Sequence, residues 1–306
     1  MRRIAVIGGG SPLGRLVVAR LASSPEVELV RGIESRASEA DVDLDVVPFV
    51  PDPRPLAEHF EKAGIDTVVH TSLVADRCGV SAAAREADVI GAMCLGAAIG
   101  HAGSPVRSWV VVSSSAIYPI GSEAALLHDE RAETPVEPVG LPASIAEAED
   151  YARETAIRLP HVNVAILRLQ QLAGHGVGGA LARLLARDPV PSPAGFDPAI
   201  QLLHVEDAVD AIRHAIAREL AGIYNVASAG LIRFEDAVRI AGRSTLPLLP
   251  FGVAPVEPLL ARLGIPFVPA ELAALLRSGH AIDTAKLERT GWRPRFDQRE
   301  CVVAVG

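Results

Sequence analysis

The sequence predicts an α/β protein built on a doubly wound parallel sheet, with a smaller lobe toward its carboxyl end. Over the first 170 residues, short apolar runs alternate with stretches of helical periodicity, which is typical of successive β-α-β units. Hydrophobic residues make up 49% of the chain and aromatic residues only 4%, a mixture that suits buried parallel strands. A glycine-rich turn directly after the first apolar run joins the first strand of the first unit to its helix.

Gly, Pro and Ser residues bound each predicted element. We expect strands over residues 4–7, 27–33, 46–50, 67–70, 109–112 and 164–169. Helices are expected over residues 13–22, 56–63, 82–102 and 143–158. The alternation weakens after Arg168 and returns over residues 201–226.

Composition excludes several classes of function. The formal net charge of −8 provides no basic surface, which argues against nucleic acid as a partner. There is no uninterrupted apolar run of membrane-spanning length and no signal-peptide pattern, so we expect a soluble cytoplasmic protein without a membrane span. The three cysteines, Cys78, Cys94 and Cys301, are scattered and odd in number, which argues against a disulfide framework or a metal site.

The turn after the first strand has the composition of a phosphate-binding loop. Its backbone N–H groups and the dipole of the following helix can face a pyrophosphate. Ser11 suits the N-cap of that helix, and Pro12 suits its first position. We therefore expect cofactor contacts from Gly8, Gly10, Ser11, Pro12, Leu13 and Gly14.

An acidic residue follows at the spacing that a dinucleotide fold requires. Glu34 closes the second strand 20 residues beyond Gly14, where its carboxylate can accept hydrogen bonds from both adenosine ribose hydroxyls. Its charge would repel a 2′-phosphate, so NAD is expected rather than NADP, although Arg36 acts against that preference. We place further cofactor contacts at Asp52, Thr71, Ser72 and Ser113.

Seven segments, in order along nearly the whole chain, resemble one known family: Gly8-x-x-Ser11-x-x-Gly14, Val68-Val69-His70, Ser113-Ser114 with Tyr118, Leu167-Arg168, His204-Val205-Glu206-Asp207, Tyr224-Asn225-Val226 and Gly291-Trp292-Arg293-Pro294. They are similar to motifs of the extended short-chain dehydrogenases/reductases, of the NAD-dependent epimerase/dehydratase kind. The resemblance implies a Rossmann-type domain of residues 1–170, whose sheet also receives residues 201–226. It implies a substrate-binding lobe of residues 171–200 and 227–306, and a homodimer formed through the helices at 82–102 and 143–158.

The chain departs from this family at the catalytic pair. The family's Tyr-x-x-x-Lys supplies a proton and binds the nicotinamide ribose, but no such pair occurs here: the fourth residues after Tyr118, Tyr151 and Tyr224 are Ser122, Thr155 and Ser228. When the fourth predicted helix is registered on Glu149, Leu141 and Ile145 fall at the two positions. Loss of a proton-transfer group costs roughly 10²–10⁴ in rate unless another residue replaces it.

Two residues of the Ser113–Tyr118 segment are the catalytic candidates. Ser114 corresponds to the family's catalytic Ser/Thr, whose hydroxyl would polarise a substrate oxygen, but it could also be a strand-end serine that satisfies the backbone. Tyr118 could replace the missing acid, or it could be a packing residue with a hydrated hydroxyl. His128 and the two acidic residues after it are expected to form an exposed charged turn.

The substrate is expected to be a small molecule bearing a hydroxyl or carbonyl group. Gln171, His175 and Gln201 lie where substrate contacts are expected, and the family often acts on nucleotide sugars. Residues 246–276 are strongly apolar, which indicates either a pocket for an apolar substrate or an ordinary lobe or dimer core.

Three functions remain open at this point. The favoured one is an atypical NAD-dependent oxidoreductase, or an enzyme of the epimerase/dehydratase kind. The second is a catalytically silent NAD-binding sensor or subunit of a complex. The third is an enzyme that uses the same pocket for non-redox cyclisation, dehydration or isomerisation.

Overall fold

A computed structural model of the chain describes residues 1–35, 44–71, 82–132, 141–248 and 270–305. Its strands are β1 (Arg2–Ile7), β2 (Val27–Glu34), β3 (Asp45–Val46), β4 (Thr67–His70), β5 (Ser108–Ser114), β6 (Leu127–His128), β7 (Asn163–Leu169), β8 (Leu172–Ala173), β9 (Val190–Pro193), β10 (Ala199–Ile200), β11 (Leu203–His204), β12 (Gly222–Val226), β13 (Ile232–Arg233), β14 (Thr245–Leu248) and β15 (Ala281–Ile282). Seven of these strands form one parallel sheet in the order β3-β2-β1-β4-β5-β7-β12. The predicted doubly wound parallel sheet is therefore confirmed.

The helices that surround this sheet are α1 (Pro12–Ala22), α2 (Arg54–Ala63), α3 (Ala82–Ile99), α4 (Leu141–Arg158), α5 (Ala180–Leu185), α6 (Val205–Ala217), α7 (Phe234–Ile240), α8 (Ala270–Ala273), α9 (Leu275–Ser278), α10 (Ala285–Glu288) and α11 (Gln298–Val303). A short 3₁₀ turn, Ser115–Ile117, follows β5. Within the described parts of the chain, no helix combines the length and the apolarity needed to cross a lipid bilayer.

The sheet is covered on both faces, which explains why its strands are apolar throughout. In β1, Ile4 and Val6 pack into a cluster that contains residues of α1 and α6. Ala5 and Ile7 point to the opposite face and pack into a second cluster, with residues of α2, α3 and α4. Because successive side chains of a strand alternate in direction, a strand buried on both sides needs apolar residues at every position.

The order of the strands reverses between β1 and β4, where the chain crosses from one half of the sheet to the other. In open parallel sheets the ligand binds outside the carboxyl ends of the strands at such a switch point. That edge carries Gly8 after β1, Glu34 at the end of β2, Thr71 after β4 and Ser114 at the end of β5.

Two parts of the predicted sheet differ from the expectation. The strand expected over residues 46–50 is reduced to Asp45–Val46, because Pro48 and Pro51 have no N–H group to donate to a neighbouring strand. Of residues 201–226, only β12 joins the main sheet, where it pairs with β7. The earlier part of that stretch, β11, pairs with β8 in a separate two-stranded sheet.

Residues of the second half of the chain form a separate hydrophobic cluster. It contains side chains from α5, α7, α8, α9 and α11, among them Leu181, Phe234, Leu276 and Cys301. All four are fully or almost fully buried. Apart from Leu202, the buried members of this cluster lie in the residues that the family resemblance assigns to the substrate-binding lobe, and the limits of that lobe stay a prediction.

Candidate functional site

The turn between β1 and α1 closes on itself through Ser11. Ser11 is the N-cap of α1, and Pro12 is the first residue of that helix, as the sequence predicts. The Ser11 hydroxyl donates to the carbonyl oxygen of Gly8 at 2.7 Å and accepts from the N–H of Gly14 at 3.0 Å. The Ser11 side chain therefore supports the turn from within.

Two glycines of this turn are required by close backbone approach. A Cβ atom on Gly14 would overlap the carbonyl oxygen of Gly8. A Cβ atom on Gly9 would lie 2.7 Å from the Cα atom of Gly32 in β2. Gly8 itself has a φ angle of 81°, which side-chain-bearing residues rarely adopt. The turn thus brings the amino end of α1 close against the sheet.

At least one backbone donor of the turn is left for a ligand. Among the described residues, the Leu13 N–H has no acceptor. It belongs to the first turn of α1, where N–H groups have no partner within the helix and the helix dipole favours an anion. The arrangement fits a phosphate group.

Glu34 lies next to this turn. One of its carboxylate oxygens accepts a hydrogen bond from the N–H of Gly10 at 2.8 Å. A carboxylate from the end of the second strand therefore lies beside the glycine-rich turn, where an adenosine ribose bound to the turn would meet it.

Of the other residues predicted at the cofactor, Thr71 contacts the turn directly. Its buried hydroxyl group lies 3.0 Å from the carbonyl oxygen of Ile7 and 3.1 Å from that of Gly8. Asp52 pairs with Arg54 at 2.7 Å, and this hydrogen-bonded partner lowers the pKa of the Asp52 carboxyl. Arg36 and Ser72 lie outside the described residues.

At the end of β5, the two neighbouring serines make different contacts. The Ser113 hydroxyl donates to Glu149 at 2.6 Å and is completely buried. The Ser114 oxygen accepts from the N–H of Ala116 at 3.2 Å, the backbone contact expected of a strand-end serine. Among the described residues the Ser114 hydroxyl has no acceptor for its proton, so it remains able to donate to a ligand.

Ser113 belongs to a buried polar network built around an ion pair. Arg168 in β7 binds Glu149 in α4 through two nitrogens, with the shortest contact at 2.6 Å, and both side chains are at most 4% exposed. Burial disfavours the charge on Arg168, but the hydrogen bonds and charge of Glu149 outweigh that effect and raise its pKa. Arg168 therefore stays charged at neutral pH.

Tyr118 is also part of this network. Its hydroxyl accepts from Arg168 at 3.0 Å and donates to the Asn225 side-chain oxygen at 2.7 Å. Burial raises the pKa of Tyr118 and outweighs the opposing effect of Arg168, so the phenol stays protonated. Beside it lies Ile145, in one apolar cluster with Ile117 and Tyr118. An aliphatic side chain thus lies beside Tyr118 at the position where the sequence register puts the family's lysine.

The three predicted substrate contacts have different surroundings. The side-chain oxygen of Gln201 accepts from the N–H of Ile282 at 2.9 Å, so it supports the backbone. The side-chain oxygen of Gln171 is buried and lacks a hydrogen-bond partner among the described residues. His175 is exposed in the turn before α5.

A cluster of buried polar rings, which the sequence does not predict, lies next to this network. His128 is 4% exposed, so the expected exposed turn is wrong for that residue. Its ring stacks on Tyr118 with centroids 5.2 Å apart, and His280 lies 5.6 Å from it. His280 also contacts Gln170 at 3.2 Å. Nothing local in the sequence marks His280, because its contacts come from residues far away along the chain.

His280 predicts a pH dependence of stability. Burial, helped by the neighbouring His128, lowers its pKa to about 4 from an ordinary 6.5. Between these values the unfolded chain binds a proton that the folded chain excludes, so stability decreases as the pH falls from 6.5 to 4. We expect His280→Gln to lack this loss of stability. As the pH falls from 6.5 to 4, the unfolding free energy of the variant minus that of the wild type should rise by on the order of 3 kcal/mol.

Urea unfolding of both proteins from pH 7 to 4 measures the difference between their unfolding free energies. Because both proteins have the same carboxylates, the effect of carboxylate titration cancels in that difference. The other rings beside His280 are those of His128 and Tyr118, and both are retained in the variant. A difference that does not change with pH would mean that His280 is not buried as a neutral ring.

Comparisons with known proteins identify what the chain is similar to. The model of the NAD dependent epimerase/dehydratase family matches residues 4–227. Uncharacterized proteins of Mycobacterium tuberculosis and Mycobacterium bovis are each 32% identical over 309 residues, covering 96% of this chain and 80% of theirs.

Solved structures resemble the fold over almost the whole chain. The UDP-glucose 4-epimerase of Thermus thermophilus, in complex with NAD, is 22% identical with a TM-score of 0.71, over 99% of this chain and 97% of that one. The dTDP-glucose 4,6-dehydratase of Bacillus anthracis, also with NAD, is 16% identical with a TM-score of 0.74, over 100% and 96%. At these identities the similarity establishes the fold alone.

Proposed function

The chain belongs to the NAD-dependent epimerase/dehydratase family, and we propose that it is an atypical NAD-dependent enzyme acting on a small hydroxyl- or carbonyl-bearing molecule. The observation that carries this proposal is the turn of Gly8–Gly14, with the free Leu13 N–H on one side and the Glu34 carboxylate beside Gly10. These groups match a pyrophosphate and an adenosine ribose respectively.

In this proposal the cofactor is held by the chain's own backbone and carboxylate. The turn and the amino end of α1 bind the pyrophosphate, and Glu34 accepts from the ribose hydroxyls, which favours NAD over NADP. The Thr71 hydroxyl stabilises the turn through its contacts with the carbonyl oxygens of Ile7 and Gly8. Asp52, Arg36, Ser72 and Ser113 remain further predicted contacts. When bound, NAD accepts a hydride from the substrate or returns one to it.

The chemistry would depend on Ser114 and Tyr118, because the family's Tyr-x-x-x-Lys is absent from the sequence. Ser114 would donate its unused proton to the substrate oxygen. Tyr118 would have to turn its own proton from Asn225 toward the substrate, and its raised pKa makes it an acid rather than a base.

As the substrate class we propose a nucleotide sugar. The similar enzymes of known structure are named for nucleotide sugars, and Gln171 offers a buried, unpaired oxygen that a sugar hydroxyl could satisfy. His175 and Gln201 stay predicted contacts. The apolar-substrate alternative rests on residues 246–276, of which 249–269 lie outside the described residues.

We also propose a homodimer formed through α3 and α4. These helices pack tightly within the chain, since a Cβ atom on Gly96 would lie 2.7 Å from the Thr155 hydroxyl oxygen. On α3 Met93 is 43% exposed, and on α4 Ile157 is 82% exposed. Exposed apolar side chains on both helices favour association with a second copy.

The second candidate, a catalytically silent NAD-binding protein, is favoured by the hydrogen bonds of the Tyr118 hydroxyl. This hydroxyl already has both an acceptor, Asn225, and a donor, Arg168, and Ile145 lies at the position where the sequence register puts the family's lysine. The third, a non-redox enzyme with the same pocket, would convert substrate without any change in the redox state of the cofactor.

Substitution of Ser114 separates these functions. With NAD and a screen of UDP-glucose, UDP-glucuronic acid and dTDP-glucose, we expect Ser114→Ala to lower kcat by about 10²-fold, because it removes a donor to the reacting oxygen. The affinity for NADH should not change. Cofactor absorbance and product analysis measure turnover, and calorimetry measures affinity.

The control is Ser23→Ala, which removes an exposed hydroxyl after α1. Equal turnover of wild type and Ser114→Ala would show that Ser114 takes no part in the reaction. Absence of turnover in both proteins, with NADH affinity retained, would favour the silent NAD-binding protein.

A further inference from the structure

Two side-chain hydroxyl groups converge on one carbonyl oxygen inside the turn between β1 and α1. The oxygen of Gly8 accepts from the Ser11 hydroxyl at 2.7 Å and from the backbone N–H of Ser11 at 3.1 Å. The hydroxyl of Thr71, the residue after β4, lies 3.1 Å from the same oxygen and 3.0 Å from that of Ile7. Because a carbonyl oxygen can only accept, both hydroxyl groups donate their protons to the turn.

These contacts fix the direction of the Gly8 carbonyl group. Its oxygen points at the first turn of α1, since a Cβ atom on Gly14 would overlap it. The N–H of Gly14 donates to the Ser11 hydroxyl oxygen at 3.0 Å. The Ser11 side chain therefore connects the residue after β1 to the start of the helix, and its hydrogen bonds are made inside the turn.

Neither hydroxyl group has a proton left for a bound nucleotide. The phosphate oxygens of a dinucleotide accept hydrogen bonds, so a hydroxyl could donate to them only by giving up its contact with the turn. The Thr71 side chain is also buried, with 2% of the residue exposed. The donor that remains is the backbone N–H of Leu13, which lacks an acceptor among the described residues.

The two hydroxyl groups determine where this N–H lies relative to the sheet. Leu13 lies between Ser11 and Gly14, and the bonds of Ser11 tie that stretch to the end of β1. Thr71 ties the same carbonyl group to the end of β4. The strand order reverses between β1 and β4, which is where a ligand binds in such a sheet.

We infer that Ser11 and Thr71 are positioning residues for the bound nucleotide. Their hydroxyl groups hold the Gly8 carbonyl inside the turn, which keeps its negative oxygen away from the phosphates and fixes the Leu13 N–H beside them. Neither hydroxyl touches the nucleotide. The effect on nucleotide binding rests on the proposed function, whereas the hold on the Gly8 carbonyl does not.

Thr71→Val tests one hydroxyl group with little change in volume. Calorimetric titration with NADH is expected to show about fivefold weaker binding, the effect of one lost hydrogen bond, and Thr71→Ser should bind as the wild type does because it keeps the hydroxyl. The matched control is Thr155→Val, which removes another hydroxyl that is 2% exposed and donates to a backbone carbonyl, that of Tyr151. Thr71→Val with lower stability but wild-type NADH affinity would contradict the inference.

Ser11→Gly tests the second hydroxyl group and gives a result that a steric argument would not predict. Glycine removes the side chain from the turn, so NADH binding would become tighter if Ser11 obstructed the pyrophosphate. We expect binding to become about fivefold weaker, because the Gly8 carbonyl loses a donor and the Gly14 N–H loses its acceptor. Equal or tighter binding in Ser11→Gly would show that Ser11 does not position the nucleotide.

Amide hydrogen exchange, measured by NMR without nucleotide, tests the hold on the carbonyl separately. We expect the Ser11 amide to exchange about fivefold faster in Thr71→Val, and the Gly14 amide about fivefold faster in Ser11→Gly, than in the wild type. If the wild type binds no NADH, the proposed function fails, and these rates still decide whether the hydroxyl groups hold the turn. Wild-type exchange rates in both variants would overturn the inference, whatever the NADH affinities.

Discussion

Arg168→Met is expected to destabilise the protein by about 3–5 kcal/mol, since it leaves the Glu149 carboxylate buried without its cation. Methionine nearly fills the volume of the arginine stem, so little of this loss comes from packing. The hydroxyl of Tyr118 also loses a donor. Urea unfolding followed by circular dichroism measures the change in unfolding free energy.

The matched control is Arg153→Met on the same helix as Glu149. Arg153 pairs with Asp150 at the surface, where an ion pair contributes about 0–1 kcal/mol. A double variant, Glu149→Leu with Arg168→Met, removes both charges and should recover part of the loss. If Arg168→Met cost no more than Arg153→Met, the buried ion pair would not hold α4 against β7.

Gly14→Ala should weaken NADH binding by at least about tenfold, because a Cβ atom at this position overlaps the Gly8 carbonyl oxygen. Neither atom can move without displacing backbone, so the turn and the amino end of α1 must separate. Overpacking of this kind costs about 1–3 kcal/mol in stability. Calorimetric titration with NADH measures the affinity, and thermal unfolding measures the stability.

Gly121→Ala is the control, since a Cβ atom there meets no other atom within 4 Å and the φ angle of Gly121 is not positive. It should bind NADH as the wild type does. Wild-type NADH affinity in Gly14→Ala would show that the cofactor, if it binds, is not held by the Gly8–Gly14 turn.

The first β-α-β unit could be predicted from the sequence because its signals are local. The apolar run, the glycines, the cap at Ser11 and the spacing to Glu34 lie within 34 residues and each follows from backbone chemistry. The third strand is shorter than its apolar pattern predicts, because Pro48 within it and Pro51 directly after it have no N–H group to donate to a neighbouring strand.

The polar network around Tyr118 could not be predicted, because its members are far apart along the chain. Gln170 and His280 are 110 residues apart, and Tyr118 and Asn225 are 107 apart. The sequence offered one unused signal: Arg168 lies in an otherwise apolar buried strand, and a buried charge requires a partner. Whether Tyr118 is catalytic stays a prediction.

The central claim, that the Gly8–Gly14 turn and Glu34 bind NAD, is tested most directly by calorimetric titration of wild type and Glu34→Gln with NADH and NADPH, after heat-released supernatant has been assayed for carried-over cofactor. Glutamine retains an acceptor for the Gly10 N–H but removes the charge that repels a 2′-phosphate. We expect micromolar NADH binding and weaker NADPH binding in the wild type, with a smaller difference in the variant. Well-folded wild-type protein that binds neither nucleotide would contradict the account.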